Sequence, residues 1–307
     1  MILDGNIKML KIGAIDIGSN SVRLLITNVI PTKTHTYYQK VSMIRLPIRL
    51  GSDAFTKGSI SKKNIKRMTE GMQAFSNLMK VHGVEDSRAC ATSAMRDAEN
   101  GKELAAHIYK RTGIFIEIID GREEANLIFE SKLMDKIQPK ESSFVYVDVG
   151  GGSTELTIIQ NNKIVASKSF QIGTIRIKDG IVKQPLWTEM QKWIESKTAD
   201  IESIAMIGSG GNINKIHKLS GLSQETPLTL DYLESYIEKL KVTSREELIT
   251  ELGLNLDRAD VIVPALSIYI FATKIAGASN MYVPKIGVSD GITRDLYHRK
   301  YKSVLEG

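Results

Sequence analysis

Two segments of this sequence carry the residue types best suited to chemistry on a phosphate. The first is Asp16-Ile17-Gly18-Ser19-Asn20-Ser21, between the apolar stretches 11–15 and 22–29. The second is Asp148-Val149-Gly150-Gly151-Gly152-Ser153, between the stretches 144–147 and 154–160. Glycines let backbone N–H groups come close to an anion, and Ser19, Ser21, Ser153 and Thr154 add hydroxyl donors for phosphate oxygens. Open α/β sheets bind ligands outside the carboxyl ends of their strands, so Asp16 and Asp148 are expected to emerge there and to face one cleft. Asp16 taken alone also fits a plain tight turn. Three consecutive glycines are harder to explain that way, because each adds backbone entropy that folding must remove.

Hydrolysis of a phosphoanhydride needs a positioned water, a carboxylate that orients or deprotonates it, and a cation that neutralises charge on the transferred group. Asp148 and Glu155 flank the triple glycine and offer hard oxygens suited to Mg2+. The plainer reading of Glu155 is a solvent-facing strand position. In Asp120-Gly121-Arg122-Glu123-Glu124-Ala125, two glutamates fall in the first turn of an expected helix, where carboxylates also serve simply to complement the helix dipole. Arg96, just past a strand end, suits either a surface ion pair or a two-pronged grip on a phosphate. Gly208-Ser209-Gly210-Gly211 is read as a turn between a strand at 204–207 and a helix at 212–219. Its amides and the helix dipole make a third candidate phosphate position, although an ordinary strand-to-helix connection has the same composition.

The elements that must hold these groups follow from periodicity. Residues 11–15 and 22–29 read as a hairpin around the first turn. Ile65, Met68, Met72, Phe75 and Met79 recur at spacings of three and four, which predicts an amphipathic helix over 61–83 with Ser61 as N-cap and Gly83 as stop. A strand at 88–91, a helix at 101–111 ended by Gly113, a strand at 114–119 and a helix after Gly121 follow. Beyond a polar stretch at 138–143 the plan starts again, with strands at 144–147 and 154–160 joined through Asp-x-Gly-x-x-Ser, the second strand leaving through a turn at Asn161-Asn162. Two such units imply lobes with a common architecture. Helices then dominate from 187–198 onward, with a short strand near 281–288.

Composition sets bounds. A chain of 307 residues, 42% apolar and 25% charged, is ordinary globular material with room for two domains. The apolar run 261–272 is short and contains Pro264, so it reads as a buried helix and not a bilayer span, and the protein is expected to be cytoplasmic. One cysteine, Cys90, excludes an internal disulfide, and the five histidines have no metal-ligand spacing. A net charge of +6 suits an anionic partner without choosing one.

Five blocks in order resemble the exopolyphosphatase and guanosine pentaphosphate phosphohydrolase family of the actin, hexokinase and Hsp70 superfamily. They are residues 14–21 (AIDIGSNS), 91–98 (ATSAMRDA), 121–125 (GREEA), 148–156 (DVGGGSTEL) and 208–211 (GSGG). The resemblance spans nearly the whole chain. It implies an α/β, two-lobed actin-like ATPase fold of the ribonuclease H-like type, with duplicated mixed-sheet lobes and a cleft between them. The lobes would be residues 1–125 and 126–307, the last helix, about 291–305, packing back on the first.

By the same resemblance, Glu124 is the base acting on water, Arg96 grips phosphate, and Asp148 and Glu155 stand by Mg2+ or another divalent cation. The phosphate-contacting set becomes Asp16, Gly18, Ser19, Asn20, Ser21, Arg23, Gly150, Gly151, Gly152, Ser153, Thr154, Gly208, Ser209, Gly210, Gly211 and Arg258. The expected activity is release of terminal orthophosphate from inorganic polyphosphate. Hydrolysis of guanosine pentaphosphate and non-catalytic sensing of polyphosphate or guanosine penta- and tetraphosphate are the alternatives. A homodimer is expected, with no membrane and no nucleic acid as partner. Two departures stand out: Asp120-Gly121 replaces the family's Ser-Gly, and the C-terminal Gly-Leu-Arg-Glu-Gly pattern is matched to Gly291-Ile292-Thr293-Arg294-Asp295. The chain resembles the short members that lack additional C-terminal helical domains.

Overall fold

A computed structural model of the chain describes residues 9–131 and 141–302, so residues 138–140 of the polar stretch and residues 303–305 of the expected last helix lie outside the described residues. The described chain divides into two compact units, residues 9–131 with 287–302 and residues 141–286. The division therefore falls after Ser131 and not at 125/126, because a cut at 125 would split a continuous helix, Gly121–Glu130.

The first unit begins with the meander β1 (Leu10–Ile17), β2 (Val22–Pro31) and β3 (Thr36–Leu46). The helices α1 (Leu50–Lys57) and α2 (Lys62–Val81) follow, then β4 (Asp86–Ala91), α3 (Ser93–Asp97), α4 (Gly101–Thr112), β5 (Ile116–Ile118) and α5 (Gly121–Glu130). The sheet order is β3-β2-β1-β4-β5, with β4 and β5 parallel to β1. Alternation along the strands separates two layers. Ile15, Ile17, Leu24 and Ala89 join Met68, Met72 and Phe75 of α2 in one core, which is what the spacing of the apolar residues in that helix requires. Asp16, one residue out of phase with that core, belongs to the opposite face.

The second unit repeats the plan. A meander β6 (Ser143–Val149), β7 (Thr154–Gln160) and β8 (Lys163–Phe170) leads into α6 (Thr174–Lys178) and α7 (Gln184–Thr198). Then come β9 (Ala205–Ser209), α8 (Gly211–Ser220), β10 (Leu228–Thr229), α9 (Leu230–Val242), α10 (Arg245–Thr250), α11 (Leu256–Ala259), α12 (Ile262–Ile275) and β11 (Asn280–Tyr282). Its sheet order is β10-β11-β9-β6-β7-β8. With β9 and β11 parallel to β6, this matches the first sheet strand for strand apart from β10. The apolar run 261–272 forms α12, a helix sunk in this unit's core. Pro264 sits in its first turn, where a missing N–H costs nothing. Among the described residues no helix is long and apolar enough to cross a membrane.

The strand expected at 281–288 is only the three residues of β11. Pro284 follows it, lacking a donor for a ladder, and Gly287 becomes the N-cap of α13 (Val288–Tyr297). That helix belongs to the first unit, where Leu296 and Tyr297 pack with Leu10, Ile12 and Val29. It also crosses α5 so closely that a Cβ on Gly291 would lie 1.7 Å from the Leu127 carbonyl oxygen. α5 and α13 therefore lie on the face of the first sheet that carries Asp16.

Candidate active site

In the first unit the site residues gather around the end of β1. Asp16 pairs in register with Arg23 on β2 and Cys90 on β4. Directly opposed residues share a face, and the Arg23 Nη1 donates to Asp16 Oδ2 at 3.1 Å. Asp16 does not emerge from the sheet as expected: it is the penultimate residue of its strand and only 6% exposed. Cys90 beside it is buried, and burial pushes its thiol up to about 12, which makes it filler and not a nucleophile.

The turn itself is closed by the Gly18 amide donating to the Ser21 carbonyl at 3.1 Å. Two further donors fasten it from the segment that opens α1: the amide of Gly51 reaches the Ser19 carbonyl at 2.8 Å and that of Arg49 reaches Asn20 at 3.1 Å. The Ser19 hydroxyl meets the hydroxyl of Ser93, the first residue of α3, at 2.8 Å. One turn along α3, Arg96 donates through Nη1 to the Ile119 carbonyl at 2.8 Å. Ile119 directly precedes the N-cap of α5, where the Asp120 side chain accepts the Glu123 amide at 2.8 Å. Glu124 lies in that first turn and is 7% exposed. The first unit thus joins the turn, Ser93, Arg96 and the start of α5 through a continuous run of hydrogen bonds. Both glutamates lie where a carboxylate complements the helix dipole, the plainer reading; Glu123 is half-exposed and Glu124 is buried.

Burial holds the Asp16 carboxyl above its usual range, and the charge and hydrogen bond of Arg23 oppose this in part. A carboxyl with a raised native pKa binds its proton more tightly folded than unfolded. It therefore favours the native state at low pH, and this contribution is lost as pH rises through the raised value. Asp16→Asn is expected to flatten the loss of Tm as pH rises above about 4, measured by thermal melts of wild type and variant across a pH series; parallel curves would sink this assignment.

The second unit builds its turn the same way, with Gly150 N–H donating to the Ser153 carbonyl at 2.9 Å. None of the three glycines lies in the left-handed region, and for Gly150 the reason is proximity. A Cβ on Gly150 would lie 3.1 Å from Ser153 O, and one on Gly173 would lie 2.4 Å from Gly151 O. Gly173 caps α6, whose Thr174 and Ile175 amides donate to the carbonyls of Gly150 and Gly151 at 3.0 and 2.8 Å. The arrangement mirrors the docking of α1 on the first turn. Gly173→Ala is expected to cost about 1–3 kcal/mol or more by forcing the turn off α6, read as a fall in Tm together with loss of whatever activity the turn supports.

Asp148 and Glu155 are directly opposed on β6 and β7, which sets their carboxylates side by side on one face. Glu155 is 3% exposed, contrary to a solvent-facing strand position, and accepts from Ser153 Oγ at 2.6 Å and Ser169 Oγ at 2.9 Å. The Thr154 hydroxyl is committed to the Ile172 carbonyl at 2.6 Å and so serves the turn's closure. No cluster of three or more metal-ligating side chains occurs among the described residues. Two adjacent hard carboxylates fit a cation such as Mg2+, which takes few protein ligands and completes its shell with water and phosphate oxygens.

The expected glycine turn at 208–211 contracts to one residue. Gly208 and Ser209 belong to β9, paired with Val147 and Asp148. Gly208 is glycine because a Cβ there would meet Met281 Sδ at 2.7 Å. Gly210 alone links strand to helix, at φ 117°, a value closed to most side chains. A Cβ at that residue would sit 3.4 Å from Asp148 Oδ1, and the Arg258 guanidinium lies over Gly211, 3.0 Å from the equivalent point. The Ser209 hydroxyl goes to the Ile286 carbonyl, and its own carbonyl accepts from Tyr269 OH. Burial first, then the charge of Asp148, keeps that phenol protonated well above its normal range. Lys215, one turn along α8, is pulled down by burial and then by the charges of Lys218 and Arg258.

Sequence reasoning did not single out Ser93, Arg49 or Gly173. Ser93 lies within the 91–98 block, and Gly173-Thr174 carries the glycine that admits the close approach. Arg49 has no local signal, since its left-handed backbone, φ 63°, is imposed by the turn it serves.

Each unit is an α/β body, and the two repeat one sheet plan. Residues 29–300 match the Ppx/GppA phosphatase family, and the chain belongs to it. Exopolyphosphatase 2 of Mycobacterium tuberculosis is 32% identical over 174 residues, 55% of this chain and 54% of that protein. Among solved structures, an exopolyphosphatase from Cytophaga hutchinsonii superposes with a TM-score of 0.80 at 24% identity, covering 94% of this chain and 98% of that one. The Aquifex aeolicus Ppx/GppA family member gives 0.75 at 21% identity over 96% and 99%. These likenesses establish a phosphatase family and its fold.

Proposed function

We propose that the protein is an exopolyphosphatase, releasing the terminal orthophosphate of inorganic polyphosphate by attack of a water that Glu124 activates. The observation that carries the reading is the buried carboxylate of Glu124 in the first turn of a helix whose entry is fastened by Arg96 and capped by Asp120. Such a group suits the abstraction of a proton from water as its oxygen attacks phosphorus. The bond to the bridging oxygen then breaks, and its electron pair leaves with the shortened chain. Arg96 and the amides and hydroxyls of the turn in the first unit bind and orient phosphate oxygens. In the second unit the turn at 148–153, Gly210 and Arg258 bind the anion. Asp148 and Glu155 would hold Mg2+ or another divalent cation, which supplies charge neutralisation on the transferred phosphoryl group. The relatives named exopolyphosphatase support inorganic polyphosphate as the substrate class.

The test is phosphate release from medium-length polyphosphate and from guanosine pentaphosphate, side by side, with Mg2+ and with EDTA. Mg2+-dependent release from polyphosphate supports the proposal. Preference for the nucleotide would move the substrate to guanosine pentaphosphate, and binding without release of phosphate from either would make the protein a sensor.

A further inference from the structure

One charged cluster on the first unit plays no part in the chemistry above. Arg88 on β4 is 5% exposed and meets three carboxylates. It grips Glu117 of β5 in two-pronged fashion, Nε to Oε1 at 3.0 Å and Nη2 to Oε2 at 2.7 Å. Nη2 also donates to Glu123 Oε1 at 2.6 Å, and Nη1 to Asp295 Oδ2 at 2.8 Å. Asp295 belongs to α13 and holds Arg299 at 2.8 Å, which lies 3.8 Å from Glu123. A buried arginine is a costly way to gain stability, since desolvation consumes much of what the pairing returns. What such a cluster does well is fix direction, because the planar guanidinium spends four of its N–H groups on carboxylates from three different elements.

The directions fixed here bear on Glu124. Glu123 is its immediate neighbour, and with Arg88 holding that carboxylate the first turn of α5 cannot rotate about its axis. The same guanidinium is anchored to β4, the strand that leads directly into Ser93 and Arg96 of α3. α13 presses on the helix through the close contact of Gly291 with Leu127, and one turn later Asp295 completes the guanidinium's shell. We infer that Arg88 is a positioning residue: through Glu123 and with Asp295 it sets the orientation of Glu124 relative to Arg96 and keeps the Glu123 carboxylate away from the water that Glu124 activates. This rests on Glu124 being the base.

The pull of Glu117 raises the Arg88 pKa further, so the cation persists at all working pH. Without it, Glu117, Glu123 and Asp295 would lose the cation they share, next to the first turn of α5 that carries Glu124, with Arg299 and Arg122 nearby on the same surface. Two effects follow. Misorientation lowers kcat, and the uncompensated negative charge raises the Glu124 pKa.

The experiment compares wild type, Arg88→Met, Arg88→Lys, Glu123→Gln and Glu124→Gln for kcat, KM and the pH profile of kcat/KM on polyphosphate with saturating Mg2+, alongside thermal melts. Arg88→Met and Glu123→Gln are expected to lower kcat about ten- to a hundredfold with KM nearly unchanged. Arg88→Met should also move the acidic limb of the profile upward, and a variant combining Arg88→Met with Glu123→Gln should be no worse than Arg88→Met alone. Arg88→Lys, which keeps the charge but not the fork, should restore the limb but not kcat. If the variants melt lower yet keep wild-type kcat and limb below their Tm, the cluster is structural only and the inference falls. Should Arg88→Met fail to fold, Glu123→Gln carries the same kcat test, since that side chain is 38% exposed. Full turnover by Glu124→Gln, or no release by wild type, would instead sink the parent reading and this inference with it.

Discussion

Glu124→Gln is expected to lower kcat for phosphate release from polyphosphate by about 10²–10⁴-fold, with KM close to that of wild type. Glutamine has nearly the shape of glutamate and keeps a hydrogen-bonding end, so the buried position in the first turn of α5 should remain filled and the helix capped by Asp120. What it loses is the capacity to accept a proton. A group that acts only as the proton leaves water contributes to the transition state and not to ground-state binding, so the effect falls on kcat. Glu123→Gln, which changes only the carboxylate held by Arg88, should cost less, about ten- to a hundredfold, because Glu123 acts through the orientation of its neighbour. Equal kcat for Glu124→Gln and wild type, with both folded, would remove Glu124 from the base position.

Much of this was legible in the sequence, and the parts that were not have physical causes. The turns at 16–21 and 148–153 announce themselves because their glycines and serines answer local geometric needs: each closes with a glycine amide on a serine carbonyl three residues on. The helix α2 is legible because one face is core and the other solvent, which leaves a period in the residue types. β3 and β8 did not read as strands because each is the outer strand of its meander, half wet, with lysine and serine in both, and glutamine in β3, interrupting the apolar residues.

The GSGG segment at 208–211 misled because composition does not reveal cause. Gly208 is small for Met281, Gly210 for its dihedral angle and Gly211 for Arg258, and only the middle one forms the connection. A similar ambiguity affects the C-terminal pattern. In space the glycines that matter are Gly287, the N-cap of α13, and Gly291 against Leu127, with Asp290 returning to the Gly287 amide at 3.1 Å. Gly287-Val288-Ser289-Asp290-Gly291 therefore fits a Gly-x-x-acid-Gly pattern better than a match begun at Gly291. Arg88 was invisible for a different reason: its partners Glu117, Glu123 and Asp295 lie up to 207 residues away, and no local spacing encodes such a contact.

Removal of the divalent cation should abolish turnover, and Asp148→Asn should raise the Mg2+ concentration needed for half-maximal activity by at least about tenfold. Asparagine keeps one oxygen in place but gives up the charge on which a small, strongly hydrated dication depends. The cross-strand pairing with Glu155 makes the two carboxylates a unit, since they stand side by side in the ladder and repel unless a cation is shared. Two hydroxyls, those of Ser153 and Ser169, donate to Glu155 Oε1 and fix its orientation beside Asp148. Mg2+ should raise the Tm of the wild type and do so much less in Asp148→Asn, a linkage effect that does not depend on turnover. If Mg2+ shifts both melts equally while Asp148→Asn still loses activity, the cation is bound elsewhere and Asp148 acts on the substrate directly.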